Sequence, residues 1–454
     1  MKQSALLAAT GGLLMSLLAC PAMAEQPSST SLNWLIDNAI RHDLTLQQST
    51  QSEQSLTLQR DAVSSMPDPR FSLGVLNVPT DGFALNQEGM TQLRVGVSQM
   101  FPRGDSVALQ RQQMATLASA EPLRRQNREL ELQRDIQLTW TDWLVAAQSA
   151  EFIRAQQQVV AQLSDAIQNS YAASSGPSQY DVLSSDVLAL ALEDRLDASL
   201  TSQQTAVARL TLWLPATVHP QLTHLTPTDT DSQWLSAMQW YGQTDVPDSQ
   251  RLLLLQQHPA VLLKNTQIDT QRLKQQQVAE NLKPQWEVNA GYSYRQDDTA
   301  NRSRADFISV GLSVDVPLFT KAHHQPAIAA MVQQTESIET EKRWLIQQQL
   351  SDIEQLTAQW DGLNRRYVRY RDSLIPLQQQ QYDAALNAYT SANGDFLAVL
   401  QSHIALLDAQ LKQLSIQGEM AKMGIKIAYY YSSRVPGMVP GMVPGTISGT
   451  ATQE

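Results

Sequence analysis

Few residues in this chain have the type and spacing to do chemistry. Seven histidines are scattered over 454 residues, and His323-His324 is the only close pair. Adjacent positions on a helix point different ways, so this pair reads as surface residues and not as metal ligands. Met438 and Met442 sit in Val-Pro-Gly-Met repeats and would offer thioethers to Cu(I), but two methionines on such a tail read better as a disordered linker. No HExxH, P-loop, GxGxxG or GxSxG pattern occurs, so the chain reads as a non-enzyme with no cofactor and no metal centre. The single cysteine, Cys20, lies at the N-terminus.

With no catalytic set to position, the question becomes what the elements themselves build. Nineteen glycines and twenty prolines gather in a few places, leaving long stretches without breakers that favour extended helices. The balance is acidic, 33 basic against 44 acidic residues, with no Lys/Arg-rich run, which sets nucleic acid aside as a partner. Lys2, the apolar run Ala5 to Ala19 and the small-residue site Ala22-Met23-Ala24 have the layout of a signal peptide cleaved before Glu25. A competing reading takes Leu17-Leu18-Ala19-Cys20 as a lipoprotein signal with Cys20 acylated; Pro21 directly after the cysteine suits it less well. Beyond the signal no run of about 18 apolar residues follows, so export leaves the periplasm, the medium, or the outer membrane as a β-barrel.

The chain repeats itself. Val95-Gly96-Val97-Ser98-Gln99-Met100-Phe101-Pro102 matches Val310 to Pro317 at an offset of 215; Ile136 and Trp143 match Ile353 and Trp360 at 217; Tyr171 and Gly176 match Tyr389 and Gly394 at 218. Each copy reads helix, strand, loop, strand, very long helix, turn, helix. In the first copy the opening helix is expected from Leu32 to Ser64 and strands near Arg70 to Asn77 and Met90 to Phe101. The second copy has an opening helix to about Leu282, then strands near Trp286 to Arg295 and Phe307 to Val316. From Leu123 to Ser170 neither Gly nor Pro interrupts, roughly 70 Å of helix, with two or three more turns expected before Pro122. Ile346, Leu350, Ile353, Leu356, Trp360, Leu363 and Tyr367 form a seam of coiled-coil type, read as packing.

The strands alternate cleanly. Trp286, Val288, Ala290, Tyr292 and Tyr294 share one face, and Glu287, Asn289, Gly291 and Ser293 the other; Arg94 and Asp315 fall on the polar face of their own strands. About ten residues of apolar-out, polar-in pattern suit a membrane β-strand, with Arg94, Glu287, Asn289 and Asp315 facing a wet lumen. A half-buried strand in a soluble sandwich has the same period. Four strands cannot close a barrel, and an open edge in lipid costs several kcal/mol per unsatisfied group, so closure needs other chains; three copies give about twelve strands.

At this point the chain resembles the TolC-type outer-membrane efflux family over essentially the whole mature sequence to Tyr431. The carriers are the duplication, Met66-Pro67-Asp68-Pro69 before the first strand, Val95 to Pro102, and two tip segments: Tyr171 with Gly176 then Asp181-Val182-Leu183, and Tyr389 with Gly394 then Ala398-Val399-Leu400. The segments Asn77 to Phe83 and Gln87 to Gln92 look most like its heavy-metal branch, paired with resistance-nodulation-division pumps. The resemblance implies a mainly α protomer of coiled-coil-like helices plus four β-strands. Three such protomers would form an α-barrel/β-barrel tube, a homotrimer in outer-membrane lipid that docks a periplasmic adaptor and an inner-membrane pump. It places Tyr171, Gly176, Tyr389 and Gly394 at the periplasmic tips. The acidic pair that some members carry after the second tip corresponds here to Ala398 and Gln401, leaving Asp181 and Asp395 as the nearest acidic candidates for a constriction; a solvated helix-start carboxylate is an equal reading of Asp181.

The implied organisation is 1–24 signal peptide, 25–214 first repeat, 215–250 equatorial linker, 251–431 second repeat and 432–454 flexible tail. The expected role is an outer-membrane exit duct for metal ions or small toxic compounds, and the rival is a soluble periplasmic coiled-coil scaffold.

Overall fold

A computed structural model of the chain describes residues 31–63, 66–172, 178–222, 225–241, 246–318, 321–391 and 394–431. The signal segment with Cys20, the tip residue Gly176 and the tail 432–454 lie outside the described residues.

The first copy does not open on one helix. α1 (Leu32–His42) ends at Asp43 and α2 (Leu44–Ala62) starts anew, because the Asp43 carboxylate accepts the Leu46 amide at 2.9 Å and so caps a second helix. Arg128 donates to the same carboxylate at 2.8 Å. Burial pushes the Asp43 carboxyl up, but the Arg128 bond and charge and the Leu46 and Thr45 amides outweigh it and hold it below its ordinary value. The second copy repeats the device, with His258 capping α8 (Pro259–Glu280) through the Ala260 amide at 3.3 Å.

Two strands follow in each copy: β1 (Arg70–Leu76) and β2 (Gln92–Met100), then β3 (Gln285–Tyr294) and β4 (Phe307–Asp315). They form one antiparallel sheet in the order β1-β2-β3-β4, and the central β2-β3 pairing, with Gly96 opposite Gly291, joins the copies. The observed ends fall within two residues of those expected from the alternation.

α3 (Ser106–Ala172) is one helix of 67 residues, about 100 Å long. The sequence leads one to expect two or three turns before Pro122, but the helix begins at Ser106, about four turns upstream. Pro122 removes a backbone donor there, and α2 reinforces the position. Ser49 Oγ donates to the carbonyl of Glu121 at 3.2 Å and to its carboxylate at 2.8 Å, and Ser52 and Arg124 complete the buried carboxylate's shell.

α4 (Gln179–Leu210) returns along α3. The linker region then carries α5 (His219–Leu222), α6 (Asp229–Tyr241) and α7 (Asp248–Gln256). Beyond the second strand pair α9 (Lys321–Arg369) passes through one π turn, Tyr370–Leu374, into α10 (Ile375–Thr390), and α11 (Phe396–Tyr431) returns. The expected seam is realised: Ile353, Leu356, Trp360 and Tyr367 pack with Ile416, Met420 and Ile427 of α11. A second core surrounds Trp140 and Trp143, whose rings lie 4.5 Å apart, with Leu35, Leu210, Leu222 and Leu235 around them. α6 packs along α11 and α7 against α9 and α11, while Leu222 of α5 and Leu235 of α6 reach into the core at the middle of α3.

At the sheet's helical end the copies are clamped together. Arg103 pairs with Asp315 and donates to the Asn281 carbonyl at 2.9 Å, while the Asp105 amide donates to Glu280 at 2.8 Å. Gly104 between them has φ +44°, and a Cβ there would stand 1.9 Å from Glu280 Oε2. Gly104→Ala should therefore lower stability by about 1–3 kcal/mol, read as a lower thermal midpoint, and Glu280→Ala in the same chain should recover part of the loss. Strictly additive losses would show that Glu280 is not the obstacle.

Candidate functional site

The sheet has two unlike faces. On one, Phe71, Ile308 and Val310 are 79, 81 and 76% exposed, and Leu73, Val95, Trp286, Tyr292 and Leu312 are exposed beside them. A contiguous apolar face of this kind is foreign to a soluble monomer. The other face is built from small and polar residues, because the register places Ser72, Gly96, Gly291 and Ser309 in one row and Ser98, Asn289 and Gly311 in the next.

Arg94 lies across this second face. Its Nη2 donates to Ser309 Oγ at 3.3 Å, and a Cβ on Gly291 would come within 2.9 Å of its Nε, so the guanidinium rests on the glycine. Asn289 occupies the space over Gly311 in the same way, 2.5 Å from a Cβ built there. Glu287 stands opposite Met100 and Ser313. Asp315 is committed to Arg103, so it serves the strand-to-helix corner. At the opposite end Arg295 and Arg304 donate to the Gly89 and Glu88 carbonyls at 3.1 and 2.9 Å and tie the two inter-strand loops together.

Every layer of the molecule is an open strip of four elements. In the half next to the sheet α2 packs on α3, α3 on α8 and α8 on α9; in the far half α4 packs on α3, α3 on α11, and α11 on α9 and α10. The ends of the strip come from different copies: β1, α2 and α4 on one side, β4, α9 and α10 on the other. These ends are apolar and uncovered. α4 exposes Tyr180, Leu183, Val187 and Leu190 at heptad spacing, α2 exposes Leu58, α9 Trp344 and α10 Leu377.

The tips differ between copies. Tyr389 packs on Phe396 with ring centroids 5.6 Å apart, whereas Tyr171 is exposed, because the position matching Phe396 at offset 218 is the helix cap Ser178. Gly394 lies against α10: a Cβ would meet the Tyr389 nitrogen at 2.7 Å and the Ala388 carbonyl carbon at 2.8 Å. The Asp181 carboxylate accepts from the Ser178 amide and hydroxyl, both at 2.7 Å, in a reciprocal capping box, so its oxygens turn back to its own helix start. Asp395 likewise takes the Leu397 amide at 3.2 Å, and Gln401 is exposed on α11.

Sequence reading missed one buried group near the second tip. His403 is 5% exposed, stacks on Tyr382 at 5.1 Å between ring centroids, and has no hydrogen-bond partner on either ring nitrogen. At offset 218 the first copy has Ser164 and Ser185, whose hydroxyls bond each other at 3.2 Å. A histidine followed by Ile404, Leu406 and Leu407 on an apolar helix was the available signal.

The fold defines a class: an internally duplicated unit of two strands and a long helical hairpin, joined in one open four-stranded sheet. That class is the protomer fold of the TolC-type outer-membrane channels. The solved structure of CusC aligns with a TM-score of 0.69 over 89% of this chain and 92% of that chain at 13% identity. The outer membrane protein VceC from Vibrio cholerae gives 0.68 over 88% and 95% at 14% identity. A membrane protein from Pseudomonas aeruginosa gives 0.71 over 88% and 92% at 13% identity. No family model matches the sequence, and no curated protein matches it.

Burial alone holds the His403 imidazole below its ordinary value of 6.5. The unfolded chain binds that proton more readily, so the stability contribution is complete above about pH 6.5 and is lost as pH falls through the lower folded value. His403→Leu should flatten the drop in thermal midpoint between about pH 7.5 and about pH 5, leaving the part due to His258, which burial also depresses. An unchanged slope would clear His403 of the effect.

Proposed function

We propose that this chain is one protomer of a passive exit duct across the outer membrane, three copies closing a twelve-stranded barrel in lipid above a helical tube in the periplasm. The observation that carries this reading is the four-stranded sheet with an exposed apolar face, a polar face of small residues and both edges open. Unpaired edges in hydrocarbon are untenable, so each β1 edge takes the β4 edge of the next copy. The strip's unlike ends make the contact heterologous, and closure into a ring gives one continuous lumen.

Transport in such a duct is driven elsewhere. The tips at Tyr171, Gly176, Tyr389 and Gly394 are the proposed docking ends for a periplasmic adaptor and its inner-membrane pump. The cargo class is small toxic compounds or metal ions, and the constriction near Asp181 and Gln401 is formed by helix ends instead of an acidic ring. A soluble periplasmic scaffold would leave Phe71, Ile308 and Val310 in water, which disfavours it.

Two lysine substitutions on opposite faces of β4 separate the readings. Val310→Lys sits on the exposed apolar face and should cost about 2–4 kcal/mol per protomer near the bilayer midplane, removing the protein from the outer-membrane fraction. Ser313→Lys, on the polar face opposite Glu287, should leave insertion intact. Equal yields of the two variants, or a parent found only in the periplasmic soluble fraction, would overturn the duct.

A further inference from the structure

The polar face of the sheet carries its charge unevenly. Arg70, Glu287 and Asp315 stand at the helical end, where Asp315 is already paired with Arg103. Beyond the row of Arg70, Ser98, Asn289 and Gly311, the strand residues of this face are Ser72, Gly74, Gly96, Gly291, Ser293 and Ser309, with Leu76, Gln92 and Phe307 at the rim and Arg94 as the one ionised side chain. In a chain of net charge −11, the outer part of this wall is therefore positive.

Arg94 is held in place by its neighbours. Glycine at 291 gives the guanidinium room to lie flat, Ser309 accepts one of its N–H groups, and Gly74 directly opposite leaves the space above β1 open, with nothing within 4 Å of a built Cβ. Two of the three acidic residues of the adjacent β3-β4 loop are engaged there: Asp306 accepts the Arg295 amide and the Tyr292 hydroxyl, and Asp298 pairs with Arg302. Asp81 in the β1-β2 loop is bonded to Gln87 at 3.1 Å.

Rings of arginine on a pore wall favour anions, and a wall of low dielectric focuses their field into the water beside it. We propose that Arg94, repeated around the barrel, makes the outer part of the lumen prefer anionic over cationic solutes. This rests on the duct reading and narrows its cargo: an organic anion, or a metal leaving as an anionic complex, passes this level more readily than a bare divalent cation.

The test places a cysteine at Gly74, opposite Arg94, in the full-length protein in intact cells. Its rates of reaction with a negatively charged sulfonate and a positively charged trimethylammonium methanethiosulfonate are compared, each normalised to a free thiol. The anionic reagent should react faster, the preference should shrink as salt rises, and R94Q should lower the ratio about three- to tenfold while R94K preserves it. A ratio at or below one in the G74C chain, or a ratio unmoved by R94Q, overturns the proposal. If the G74C chain alone fails to assemble, the same ratio is read at S72C, with the same outcomes. If neither reagent reaches either cysteine in assembled protein, the face is not a wetted lumen and the duct reading itself fails.

Discussion

The unpaired outer edges of β1 and β4 are the constraint from which the rest follows. Strand backbone groups demand partners, and in hydrocarbon neither water nor side chains can supply them along a whole edge. A four-stranded sheet with exposed Phe71 and Ile308 on its edge strands is therefore incomplete as a single chain. The helices share the incompleteness, since the uncovered stripe Tyr180, Leu183, Val187 and Leu190 belongs to α4 at the same end of the strip as β1.

Duplication explains how one chain acquires two unlike but compatible ends. Each copy supplies two strands and a long helical hairpin, and the copies meet at β2-β3, at α3-α8 and at α3-α11. If those internal junctions resemble the external ones, a repeated heterologous contact closes with few distinct interfaces. The copies have also diverged where the chemistry is local. Asp43 and His258 cap equivalent helices, the first with its carboxylate also paired to Arg128 and the second beside Tyr429, whose ring centroid is 5.0 Å from the imidazole. The Ser164-Ser185 pair of one tip hairpin becomes Tyr382-His403 in the other.

Much of the fold was legible because its periods are pure. The alternation from Trp286 to Arg295 gave β3 to within a residue, and the seam from Ile353 to Tyr367 is the core against α11. What escaped depends on contacts distant in sequence. Asp43 starts a helix without Gly or Pro nearby, and its cap is secured by Arg128, 85 residues on. Pro122 lies inside α3 without ending it, and the Ser49 and Ser52 hydroxyls of α2 that bond the Glu121 carboxylate beside it come from about 70 residues upstream. Of the site residues, Arg94 and Asn289 lie on the polar face as read, and Glu287 beside them. Asp315 shares that face by register but serves a corner that only Arg103 reveals. The Ser178 to Asp181 spacing is itself a capping-box signature, and the structure uses Asp181 that way.

The number of chains in the assembled particle tests the central claim most directly. Native mass spectrometry of the protein extracted from outer membranes should give three chains and no smaller stable species. A single chain, retaining its four-stranded sheet and indifferent to lipid, would contradict the account.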